Sequence, residues 1–145
     1  MHRSITSHLA LLGALCLAGC MTPPTDLDLS LSRPTDAGKY RVTLLAPPAP
    51  PAINQMHSWK VLVATPAGAP VGDARIAISG GMPQHGHGLP TQPLVRTQLE
   101  PGTYLMEGME FSMTGWWEIK LAVDSAAGAD KVVFNTVVND PTARR

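Results

Sequence analysis

Apolar residues in this chain fall on every second position in short runs, and each run is stopped within a few residues by proline or glycine. Tyr40, Val42 and Leu44 make one such set, and Trp59, Val61 and Val63 a second. Ala74, Ile76 and Ile78 make a third, and Trp117, Ile119, Leu121 and Val123 a fourth. Side chains two apart on an extended chain point to one side, so each run reads as a strand with a single apolar face. Residues 46–52 hold four prolines in seven positions, which excludes helix and sheet interior alike. Weaker runs at 94–99 and 103–109 and a buried-type run at 131–138 bring the number of strands to about seven. Leu27, Leu29 and Leu31 alternate as a further short edge strand. No amphipathic helical pattern of useful length follows residue 20. Short strands spaced by turn signals predict an all-β fold, an immunoglobulin-like antiparallel β-sandwich. No cysteine follows Cys20, so the inter-sheet disulfide of antibody domains is absent and the prediction concerns architecture alone.

The first nineteen residues are read as a leader. Arg3 precedes the apolar run 9–17, which is too short to span a bilayer stably. The run ends in Leu17-Ala18-Gly19-Cys20, which resembles a bacterial lipobox. That resemblance implies cleavage before Cys20 and lipid on its sulfur; the alternative is a plain signal peptide cut after small residues. Acyl chains on Cys20 supply stable anchoring, which places the protein in the cell envelope on the periplasmic side. Met21 after the cysteine favours the outer membrane. The expected organisation is leader 1–19, lipidated cysteine and tether 20–37, sandwich domain 38–139 and polar tail 140–145. The tether is expected to hold the domain off the membrane. Cleavage of nineteen residues from 145 leaves 126, with ten basic and eleven acidic side chains. So balanced a charge offers no basic field to nucleic acid, which is excluded as a partner.

Side chains able to hold a soft metal are unevenly placed. The segment Gly81-Met82-Pro83-Gln84-His85-Gly86-His87-Gly88 carries two of the three histidines left after cleavage. On an extended chain His85 and His87 would face one target. Imidazole with thioether is a donor set suited to copper, and thioether selects Cu(I). If successive strands reverse direction, the connections 46–56, 82–90 and 111–116 share one end of the sandwich. His57, His85 and His87 lie in or beside them, as do Met56, Met82, Met109 and Met113. The candidate ligands are therefore His85, His87, Met82, Met113, Met109 and His57, with Met56 and Trp116 as neighbouring binding residues. Each has a plainer reading. Methionine fills cores, His57 beside Trp59 serves equally as a structural histidine, and a glycine loop can hold imidazoles that bond only to backbone.

The residues 81–90, with Gly102-Thr103-Tyr104, Phe111-Ser112-Met113-Thr114-Gly115-Trp116-Trp117 and Met56-His57-Ser58-Trp59, resemble the YtkA-like domain, grouped with FixH-type proteins. The resemblance spans roughly 38–138. It implies an exported β-sandwich whose relatives accompany copper handling or cytochrome oxidase assembly. FixH-type members are embedded in the membrane, whereas this chain reads as lipid-anchored. The expected function is a copper-binding envelope lipoprotein, with copper-handling or oxidase assembly proteins as partners. The alternative is a metal-free adaptor that docks another envelope protein through its Met and Trp loops. An enzyme is not expected: no serine elbow, HExxH pair or glycine phosphate loop is present. Glu107, Glu110 and Glu118 read as solvated charges on strands.

Overall fold

The protein is described by a computed structural model over residues 22–139. The leader, the lipobox with Cys20 and the tail 140–145 lie outside the described residues. Among the described residues nine strands form, β1 (Ser32–Pro34), β2 (Arg41–Leu45), β3 (His57–Ala64), β4 (Arg75–Met82), β5 (His87–Gly88), β6 (Leu94–Glu100), β7 (Thr103–Met109), β8 (Gly115–Asp124) and β9 (Asp130–Val138). They pair into two antiparallel sheets, in the orders β1-β2-β3-β7-β6 and β5-β4-β8-β9. No helix is present among the described residues. This is an all-β sandwich.

The alternation read from sequence is the alternation that packs. Tyr40, Val42, Leu44, Trp59, Val61 and Val63 face Ile119, Leu121, Val123, Val132 and Phe134 across the core, all at most 4% exposed. Each fully buried side chain of this size is worth about 1.5–3 kcal/mol. The described residues contain no cysteine, so this apolar layer holds the two sheets together.

Where it pairs with β3, β7 departs from strict alternation. His57 pairs with Met109 and Trp59 with Met106, so two steps on β3 oppose three on β7. The extra residue lies at Gly108, whose φ of 77° suits glycine in a bulge. The bulge turns Met109 inward beside Met106, and both are 0% exposed.

The strands reverse as expected, so the connections β2–β3, β4–β6 and β7–β8 share one pole. A backbone bond from Asn54 N–H to the Phe111 carbonyl (2.9 Å) joins the first to the third. The opposite pole is clasped by buried tyrosine hydroxyls. Tyr104 donates to the Val71 carbonyl at 2.6 Å and Tyr40 to the Gly128 carbonyl at 2.7 Å. There too Asp130, 8% exposed, accepts from the backbone N–H groups of Ala37, Lys39 and Lys131.

The expected edge strand at 27–31 forms slightly later, as β1. The residues before it are held on the domain rather than free. Arg33 Nη1 donates to the Val133 carbonyl at 2.7 Å, Asn135 Nδ2 to the Asp28 carbonyl at 3.0 Å, and Gln84 Nε2 to the Thr22 carbonyl at 2.9 Å. The segment expected to act as a spacer is a strap, running from β9 to the turn that carries the histidines.

Candidate metal centre at the histidine pole

His85 and His87 come together through a tight turn and not through an extended chain. β4 ends at Met82, residues 83–86 turn, and β5 returns with Met82 opposite His87 and Gly81 opposite Gly88. The Met82 carbonyl accepts from the N–H of both His85 (3.1 Å) and Gly86 (2.9 Å), which closes the turn. Gly81 makes this return possible, because a Cβ there would collide with the backbone carbonyl oxygen of His87. The result is a short hairpin with both imidazoles on its exposed tip. Their ring centroids are 6.1 Å apart and their planes 21° from parallel. Among the described residues no hydrogen bond engages either ring, so their nitrogens are available to a ligand.

The methionines separate into two groups. Met82, in step with Ile76 and Ile78 on β4, is 1% exposed, and Met109 is turned inward by the bulge. Both thioethers belong to the core. Met113 (41% exposed) and Met56 (73%) stand in solvent on the same pole as the histidines. The Met113 backbone is fixed from below, since the buried Trp117 donates through Nε1 to its carbonyl at 3.0 Å.

His57 occupies a different environment. Its ring lies 5.2 Å from that of Phe111 and 6.2 Å from that of Trp59. Nδ1 is 3.1 Å from the Gln55 carbonyl oxygen. A carbonyl accepts, so Nδ1 is the donor in this contact. Nε2 is enclosed and has no partner among the described residues. Trp116 lies on the outer face of the second sheet, where its Nε1 donates to Asn135 Oδ1 at 2.9 Å. It belongs to the strap's footing and not to the lip of the histidine turn. Among the described residues no three His, Cys, Asp or Glu side chains converge, so the three imidazoles do not form one cluster.

The YtkA-like family model matches residues 35–122, more than half of the chain and all of the histidine turn. The chain belongs to the YtkA-like family. The match leaves out the strap at 22–31 and the last strand, β9. The solved C-terminal domain of ZirS is similar in structure at a TM-score of 0.42, with 10% identity over 90% of this chain and 86% of that one. Comparison with curated proteins gives no match.

The donor chemistry of the tip fits a soft metal only in part. Metal–imidazole bonds are about 2 Å long, and the two ring centroids are 6.1 Å apart. Of the sulfur candidates, only Met113 and Met56 are accessible without opening the core. An apolar groove of about 450 Å³ lies elsewhere, between β4 and the segment leading into β6, lined by Ile76, Ile78, Leu89 and Leu94 among others. Those four side chains offer no metal ligand.

Proposed function

We propose that this YtkA-like protein is a lipid-anchored envelope protein that binds copper as Cu(I) at the tip of the β4–β5 turn. His85 and His87 supply nitrogen, and Met113 is the accessible thioether on the same pole. The observation that carries the reading is the presentation of two imidazoles side by side, exposed and without hydrogen-bond partners among the described residues, on a hairpin whose backbone is locked. Histidines serving only the fold would be expected to spend a nitrogen on a nearby carbonyl, as His57 does. So open and soft a donor set suits transfer better than a closed structural site. The role is then carriage or tolerance on the periplasmic side, with delivery to copper-handling or oxidase assembly proteins, and with anchoring through Cys20 favouring the outer membrane. No catalytic step is assigned.

The test is Cu(I) competition against a coloured chelator. Wild type is expected to take up one equivalent, and His85→Ala/His87→Ala to lose at least about tenfold in affinity, or 1.4 kcal/mol. Equal and negligible uptake by both proteins would overturn the reading. The exposed Met56 and Met113 would then favour the adaptor role, because flexible methionine surfaces adapt to protein partners.

A further inference from the structure

The strap fixes where the lipid anchor would leave the domain. We infer that the histidine pole faces the bilayer surface. This inference rests on lipid anchoring through Cys20 and goes beyond it. Thr22, the first described residue, gives its carbonyl to Gln84 Nε2, and Gln84 sits inside the histidine turn next to His85. Only Met21 stands between Cys20 and Thr22, a separation of two residue steps, and a fully extended chain spans at most about 3.6 Å per residue. The acylated cysteine is therefore held within roughly 7 Å of Thr22. The polar layer of one leaflet is about 5–7 Å thick. With so short a lead, the His85–His87 tip lies at headgroup level.

A second, independent observation concerns charge. The three connections at this pole, residues 46–56, 83–93 and 110–114, hold one charged side chain between them, Glu110, and no lysine or arginine, while the strap that reaches the pole adds Asp26 and Asp28. The other end of the sandwich carries Asp36, Lys39, Asp73, Glu100 and Asp130. Bringing charges out of water is costly and bringing uncharged groups out is much less so. The three connections, nearly uncharged and with Met56 and Met113 projecting from them, are the part of this end that can rest against headgroups without stripping water from ions. A ligand held by His85 and His87 would then be exchanged at the membrane surface, with a partner embedded there and not one arriving from open periplasm.

The experiment uses the full lipoprotein in vesicles of phosphatidylethanolamine and phosphatidylglycerol. The leader takes Cys16 with it and acylation blocks Cys20, so Ser112→Cys at the histidine pole and Ala126→Cys at the opposite end each give one labelling site; both positions are exposed. Each is labelled with a fluorophore and exposed to lipids carrying a headgroup nitroxide. The nine-residue β9 alone implies a separation of about 30 Å between the ends, so the probe at 112 is expected to be quenched several-fold more than the probe at 126. Replacing Gln84 by Ala and inserting a twenty-residue Gly/Ser linker between Met21 and Thr22 should abolish that difference while vesicle flotation persists. Equal quenching in a protein that floats would overturn the orientation and leave the anchoring intact. A protein that does not float would overturn both.

Discussion

Asp130 is the side chain whose ionisation is tied most directly to the fold. It stands at the start of β9, and its two oxygens collect N–H groups from Ala37, Lys39 and Lys131, so one carboxylate joins the turn before β2 to the second sheet. The Thr35 hydroxyl, with these backbone donors, pulls its pKa from the ordinary 3.8 down to about 2 against the opposing effect of burial. A carboxyl with a lowered folded pKa stabilises the native state above its unfolded pKa, and that contribution is lost as pH falls through the folded value. The urea midpoint should therefore fall between about pH 4 and pH 2 more steeply in wild type than in Asp130→Ala, which should start lower at pH 7. Parallel pH profiles for the two proteins would show that Asp130 does not carry the acid transition.

At the scale of elements, the β4–β5 hairpin and the bulge in β7 decide which candidate ligands reach solvent. Gly81→Ala would place a methyl group against the His87 carbonyl. Overpacking of this kind costs about 1–3 kcal/mol. We expect a lower urea midpoint together with loss of ring-to-ring contacts between His85 and His87, observed as NMR cross-peaks. A destabilised protein that kept those contacts would show that the turn holds the pair without the close β4–β5 approach. The strands themselves were legible, because Trp117, Ile119, Leu121 and Val123 can alternate in only one way. The inward position of Met82 was legible too: it continues the parity of Ile76 and Ile78, a signal outweighed by its nearness to the histidines. Met109 was not. By parity with Tyr104 and Met106 it should point outward, and only the pairing of β7 with β3 shows the inserted residue at Gly108. The turn at His85 escaped a reading that treated 82–88 as extended. The strap escaped as well, since nothing in the residues around Thr22 or Asp28 announces Gln84 or Asn135 as partners.

Across the whole molecule, the core that gives stability and the site proposed for binding occupy different places, and the methionines can report on both. Met106 and Met109 lie in a core that no disulfide among the described residues supplements, whereas Met56 and Met113 project from the histidine pole. Truncating a buried methionine to alanine costs about 2–5 kcal/mol, while surface changes usually stay within about 0.5 kcal/mol. Met106→Ala and Met109→Ala should therefore lower the urea midpoint strongly and leave Cu(I) affinity unchanged in the fraction that remains folded. Met113→Leu should do the reverse, weakening Cu(I) with an unfolding curve close to wild type. The volume-conserving Met109→Leu decides between the exposed tip and the interior, because it removes a sulfur across the strand pair from His57, whose enclosed Nε2 has no partner among the described residues. If Met109→Leu abolishes copper binding at native stability while His85→Ala/His87→Ala retains it, the metal is held beneath Phe111. The exposed imidazoles would then be a route of entry and not the site.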